Sequence, residues 1–328
     1  MESKKSSSIK TQQLLVFVSL ALFIIKMAAW YITSSVAILT DALESTVNVI
    51  AGFIGLYSII VSSKPKDKEH PYGHGKIEFI SSAFEGILIS VAGLIIIYEA
   101  LNNFIHPHKI QKLDYGLALV AFSAIINFIV GGICVKKGKK ENSPVLVAGG
   151  KHLISDTYST IGLLIGLGLM LLTGYKWIDS LAAMIFAFII IFTGYKIIRK
   201  AISGMMDEAD TEIIEEVKTV LNANKEYNWI DVHNMRIINY AGFYHIDCHL
   251  TLPFYLNINE GHSVLERLTI VLSKHFEERV EFFIHVDACE FYQCNICKVA
   301  ECKFRKENFV QTVEWTTEKL ISNNKHKI

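Results

Sequence analysis

Glu44 with Asn48, and His152 with Asp156, are two polar pairs, each spaced one helical turn apart inside stretches apolar enough to cross a membrane. Residues four apart on a helix share one face, about 6 Å apart along the axis. One helix then offers carboxylate and amide oxygens, and the other an imidazole nitrogen and a carboxylate. Four convergent ligands of these types suit a tetrahedral divalent cation. Asp41, three residues before Glu44, lies on the same face and could enlarge the acidic site or carry a proton. Polar residues in helix bundles also serve as interhelical hydrogen bonds or buried ion pairs. Two facing pairs, with carboxylates in excess of nearby cations, favour the ion, because such residues are costly in lipid and mark function.

The elements that carry these residues follow from hydropathy. A bilayer core about 30 Å thick needs roughly 20 apolar residues as helix, and windows of that kind fall near 13–33, 36–62, 79–103, 113–135, 144–173 and 178–198. Of the 328 residues 51% are hydrophobic, and mean hydropathy is +0.34. That is too oily for an ordinary soluble protein, yet it leaves room for a polar domain. Net charge is zero without a large basic block, so nucleic acid is not an expected partner. Lys4, Lys5, Lys10, Lys64, Lys66, Lys68, Lys76, Lys136, Lys137, Lys139 and Lys140 flank the spans on one side, against Lys109, Lys112 and Lys176 on the other. The positive-inside rule then places both termini in the cytoplasm. The first apolar stretch runs almost directly into the second, so it reads as an uncleaved span and not a signal peptide. Lys26, Glu78, Glu85 and Glu99 read as packing or helix-end residues.

The expected organisation is an α-helical membrane domain of six transmembrane helices over 1–203, then an α+β domain over 204–292 and a cysteine-containing extension over 293–328. Composition shifts at about Gly204. Ile214, Val217 and Leu221 mark one helical stripe, and Leu265, Leu268 and Leu272 another. Met235 to Asn239, Tyr244 to Leu252 and Val280 to Asp287 read as strands, giving an α-β-β-α-β order. Ser322 to Ile328 is polar and reads as a frayed end.

Two further clusters carry ligand chemistry. Asp67, His70 and His74 lie within eight residues of a connection relaxed by Gly73 and Gly75, and offer borderline ligands for zinc or a similar ion. Cys289, Cys294, Cys297 and Cys302 form C-x4-C-x2-C-x4-C, which in a reducing compartment reads as metal binding, against a redox pair or incidental thiols. Alternation along a strand puts His245, Asp247 and His249 on one face.

From about Leu14 to about Cys289 the chain resembles the cation diffusion facilitators, proton-coupled exporters of divalent transition metals. The resemblance rests on Ser35-Val36-Ala37-Ile38-Leu39-Thr40-Asp41-Ala42, on His70-Pro71-Tyr72-Gly73-His74-Gly75-Lys76 and on His152-Leu153-Ile154-Ser155-Asp156. It implies six spans and a ferredoxin-like cytoplasmic domain, paired in a homodimer, with the transport site on spans two and five. By that resemblance Glu44, Asn48, His152 and Asp156 hold the transported metal, and Asp67, His70 and His74 the loop site. It also implies that His233, His249, His262, His285 and Asp287 form a binuclear dimer-interface site, and that Lys76 and Asp207 form the charge contact fastening the dimer. The family usually shows Asp or His followed four residues later by Asp in span two, where this chain has Glu44 and Asn48.

The function expected is export of divalent metal, zinc first and iron, cobalt, cadmium or manganese after it, in exchange for protons, from a bacterial-type inner membrane. Its ligands are the lipid-embedded protein's partners: metal cations as substrate and regulator, and protons. An embedded metalloenzyme would need an open metal position and a general base, and no H-E-x-x-H arrangement occurs. A membrane-anchored metal sensor and a passive channel are the rival readings.

Overall fold

Polar residues share the interior of the first half of the protein with apolar clusters, and large apolar side chains cover its outside. In the computed structural model Ser45, Asn48, Ser58, Glu85, Ser123, His152, Asp156 and Thr160 are buried, while Phe17, Ile24, Phe53, Phe128 and Phe192 are exposed. This inversion is what a lipid solvent selects, since apolar side chains gain nothing there by turning inward. The structure describes residues 2–33, 36–105, 113–173, 177–276 and 280–327, and some helical side chains, among them those of Asp41, Glu44 and Glu99, lie outside the described residues. The chain divides into two units, Met1–Met206 and Asp207–Ile328.

Six long helices form the first unit: α1 (Glu2–Thr33), α2 (Val36–Ser62), α3 (Ile77–Ile105), α4 (Leu113–Glu141), α5 (Pro144–Thr173) and α6 (Trp177–Met205). The shortest has 27 residues, which at 1.5 Å per residue spans about 40 Å and exceeds the hydrocarbon thickness. Among the described residues Ile9–Ala28, Ile77–Asn102 and Ala121–Glu141 are long and apolar enough to cross a membrane without interruption. All six expected spans are helical.

Local chemistry positions α5, which carries His152 and Asp156. Asn142, at φ 53, breaks α4, and Pro144 opens α5 at the first helical position, where its missing N–H costs nothing. Glu78, at the start of α3, accepts a 2.6 Å hydrogen bond from Ser62 Oγ at the end of α2 and another from Ser143 Oγ just before α5. One carboxylate thus ties the ends of three helices. Farther along, α4 and α5 touch backbone to backbone: a Cβ at Gly150 would stand 2.7 Å from both Gly131 O and Val135 N. Small residues allow that approach, the usual basis of helix association in lipid.

The second unit runs α7 (Thr211–Ala223), β1 (Asp231–Tyr240), β2 (Phe243–Leu252), α8 (Ile258–Phe276), β3 (Val280–Ala288), a 3₁₀ turn (Phe291–Asn295) and α9 (Thr317–Ile321). Strands β1 and β2 are antiparallel, and β2 and β3 parallel. Ala241 and Gly242, at φ 51 and 93, make the two-residue turn between β1 and β2, a geometry whose twist matches the strands. The helices bury Ile214, Val217 and Leu221 from α7, and Val264, Leu268, Leu272 and Phe276 from α8, against one face of the sheet. Leu265 is only half-buried, so the α8 stripe begins one residue earlier than the sequence pattern gives.

The extension is part of this same core. Ile296, Cys297, Val299, Val313, Trp315 and Leu320 pack into the cluster formed by the helices and the sheet. The last residues are also tied down, not frayed: Asn234 N–H donates to Ser322 O at 2.7 Å, and Lys325 Nζ to Ala288 O at 2.9 Å.

Gly150→Leu should force α4 off α5 and lower stability by about 1–3 kcal/mol, the usual cost of overpacking. Thermal unfolding of the detergent-solubilised protein checks this, and an unchanged transition would show that the close approach is dispensable.

Candidate functional site

The buried polar residues of α2 and α5 meet. Asn48 Nδ2 donates to Asp156 Oδ2 at 2.6 Å, and Asn48 Oδ1 lies in hydrogen-bonding contact with His152 Nε2. Chemistry fixes the amide orientation, because the opposite one would set its oxygen against the carboxylate. His152 Nε2 therefore carries the proton in this arrangement. His152 and Asp156, one turn apart on α5, approach to 3.8 Å between Nδ1 and Oδ1. Among the described residues His152 Nδ1 is buried without a hydrogen-bond partner. All three residues are less than a tenth exposed. Asp41 and Glu44 belong to α2, and their side chains lie outside the described residues.

Glu85 of α3 adds a carboxylate that the sequence pattern assigns to packing. It is buried, and its carboxylate reaches α5, where a Cβ at Gly149 would stand 3.3 Å from Oε1. Its position in the middle of an apolar helix was the available signal.

A tight turn between α2 and α3 gathers the second cluster. Asp67 Oδ1 accepts from the backbone N–H groups of Glu69 at 3.0 Å and His70 at 2.7 Å. Its Oδ2 lies 3.3 Å from His74 Nε2, and His70 Nδ1 is 3.4 Å from Oδ1. Gly73, at φ 95, takes a conformation that a side chain would resist, and this turns the chain so that His74 faces back. One ligand atom from each of Asp67, His70 and His74 falls within 4.8 Å of the others. The backbone N–H of His70 holds the Asp67 carboxyl below the usual carboxylate range, so it stays anionic wherever histidine is neutral.

The third cluster comes from strand register. His233 pairs with His249, and His249 with His285, so the three imidazoles line up across β1, β2 and β3. Asp287 Oδ2 lies 3.0 Å from His249 Nδ1 and 3.3 Å from His233 Nε2. His233, His249 and Asp287 also converge within 4.8 Å. His285 stands beside them, its ring centroid 4.7 Å from that of His249. His262 is exposed on α8 and is not among the converging residues. His245 and Asp247 face each other at 3.0 Å farther along the same strand.

His326 is a residue the sequence reading missed. Its backbone N–H donates to Asp231 Oδ2 at 2.8 Å, and its ring Nδ1 sits 2.7 Å from Oδ1. Asp231 in turn lies 3.6 Å from His233 Nδ1. The tail thus covers His233, which faces away from the apolar core yet is buried. A bulge at Asn234, φ 52, opens β1 to receive the tail's Ser322 carbonyl and aims the Asn234 amide at His249, 3.0 Å away. No local pattern announces a contact between residues 95 positions apart. Burial, more than the neighbouring aspartates, sets His233, pushing it below the ordinary histidine value.

Helices with an inverted surface, a buried histidine–carboxylate–amide cluster and a separate sheet domain bearing a row of histidines define an integral membrane protein with metal-ligand chemistry in both units. Residues 13–206 match the model of the cation efflux transmembrane domain, and residues 209–289 that of the cation efflux protein cytoplasmic domain, a dimerisation module. An uncharacterized transporter of Synechocystis sp. is 30% identical over 256 residues, 78% of this chain and 83% of that one. The manganese efflux system protein MneP of Bacillus subtilis is 28% identical over 77% of this chain and 86% of its own. A cadmium, cobalt and zinc/H(+)-K(+) antiporter of Bacillus subtilis is 24% identical over 75% and 78%. The chain belongs to the cation diffusion facilitator family and is a metal cation efflux protein.

Removing the His326 ring would leave Asp231, a fully buried carboxylate, short of a partner. His326→Ala should cost about 1–3 kcal/mol, the range for orphaning a buried polar group, and should speed hydrogen exchange in residues 322–327. The metal-free protein should also lose stability as pH falls through the ordinary histidine range near 6.5. The unfolded chain takes up a proton at position 233 there, whereas the folded chain does so only at lower pH, so the unfolded state gains. Denaturant titrations from pH 7.5 to 5.5 should show this slope, and it should flatten in His233→Gln.

Proposed function

We propose that the protein exports a divalent transition metal, zinc first, in exchange for protons, using Asn48, His152 and Asp156 with Glu44 as the transport site. The observation that carries this reading is the meeting of Asn48 with both His152 and Asp156 inside the bundle. Metal and proton compete for the same atoms there. A cation needs the carboxylate ionised and an imidazole lone pair free, so protonation releases it. Asn48 adds a second competition: its two hydrogen bonds tie up His152 and Asp156, and a bound ion must replace both. With the site open to the cytoplasm, His152 and the carboxylates take up an ion; once helix movement exposes it outside, protons on His152 and Asp156 displace it.

The nitrogen ligand supports zinc and its borderline neighbours, and a relative bears the name of a cadmium, cobalt and zinc antiporter. Manganese is the second reading. Amide and carboxylate oxygens beside the imidazole also suit manganese, and another relative is named for manganese efflux. Asp67, His70 and His74 form a loop site, and His233, His249, His285 and Asp287, with His262 supplied at a dimer interface, sense cytoplasmic metal. The protein sits in a bacterial-type inner membrane with both termini inside.

Reconstitution into vesicles tests this, with zinc, manganese, cobalt and cadmium offered in turn and internal pH followed by a dye. The expected result is metal uptake with proton counterflow. Asp156→Ala should lower flux by roughly 100-fold or more, since even residues that only orient a ligand are worth about 10–100-fold in metal affinity. Metal flux without pH change would establish a channel, and full flux in Asp156→Ala would remove the site. Asn48→Asp should keep transport and steepen its pH dependence by adding a titratable ligand.

A further inference from the structure

The four cysteines after β3 line one cavity in the second unit, of about 20 Å³, shared with aromatic rings that include Phe254 and Phe304. That is room for a single ion or water. The cysteines are free thiols. Tyr255, Val299 and Arg305 line the same cavity.

Arg305 holds the loop in shape. Its guanidinium donates to Cys294 O at 2.7 Å, Cys297 O at 2.9 Å and Val299 O at 2.6 Å. Arg305 N–H also donates to Cys302 O at 3.2 Å. The C-x2-C turn and the chain after Cys302 are thereby clamped together by a cation placed beside the sulfurs. Four thiols that give up their protons around a divalent ion leave a net charge of minus two, which Arg305 would partly offset.

We infer that Cys289, Cys294, Cys297 and Cys302 bind one structural zinc ion, which clasps the C-terminal extension to the second unit. The inference is independent of the transport site. Among the described residues no three of these sulfurs lie within 4.8 Å of one another, whereas sulfurs at about 2.3 Å from a tetrahedral ion stand about 3.8 Å apart. Binding therefore draws the thiols inward, and the Arg305 contacts limit how far the loop must move. The clasp would add to contacts that the extension already makes, since Val313, Trp315 and Leu320 seat in the core and His326 reaches Asp231.

Cobalt(II) titration of the purified full-length protein tests this, because sulfur-to-cobalt charge transfer reports thiolate ligands alone and is silent for the histidine and aspartate clusters. One equivalent of sulfur-bound cobalt per chain is expected, displaced by zinc, and lost when Cys294→Ser and Cys297→Ser are combined. Cys302→His should keep one equivalent with a shifted band, so that a general failure to fold is told apart from loss of a ligand. A reduced wild-type protein that shows no thiolate band overturns the inference, as does one whose four thiols react with a mercurial at the same rate with and without zinc. Failure of metal transport in vesicles would leave these readouts unchanged.

Discussion

Burying a polar group in a medium that cannot solvate it sets the terms for the whole first unit. In hydrocarbon an unpaired amide, imidazole or carboxylate costs several kcal/mol, so Asn48, His152 and Asp156 must find one another or a ligand. They find one another through a single amide that serves as donor to the carboxylate and acceptor from the imidazole. The same contact joins α2 to α5, so the polar cluster is a helix–helix fastening made of groups with metal-ligand chemistry. If a cation binds there, as proposed, it must take over a structural role as well as a chemical one, which would couple its binding to the packing of two helices.

Other contacts of that unit fasten the same helices. Glu78 anchors their ends together through Ser62 and Ser143, and the Gly131–Gly150 approach seats α5 against α4. Neither contact involves Asn48, His152 or Asp156.

A different logic governs the second unit, where water is available and a polar face is cheap. Three neighbouring strands place one histidine each at the same level, and exposure alone would leave them solvated. The C-terminal tail changes this by covering His233 and presenting His326 to Asp231. Desolvation then keeps His233 neutral, in the form that a metal can use. The extension therefore borders the histidine row as well as joining the core, through Trp315 and Leu320.

Much of this was legible in the amino-acid order, because it depends on local spacing. Hydropathy marked six helices, a four-residue interval put His152 and Asp156 on one face, and alternation assigned the strands. The turn that folds Asp67, His70 and His74 together is likewise local, made by one carboxylate and one glycine. Three-dimensional packing alone decided the rest. That one Asn48 amide bridges both α5 residues of a pair expected to face it, that Glu85 reaches α5, and that His326 closes over His233 are relations between residues far apart in sequence. Periodicity records which face a residue occupies, and it carries no information about which distant face will be pressed against it.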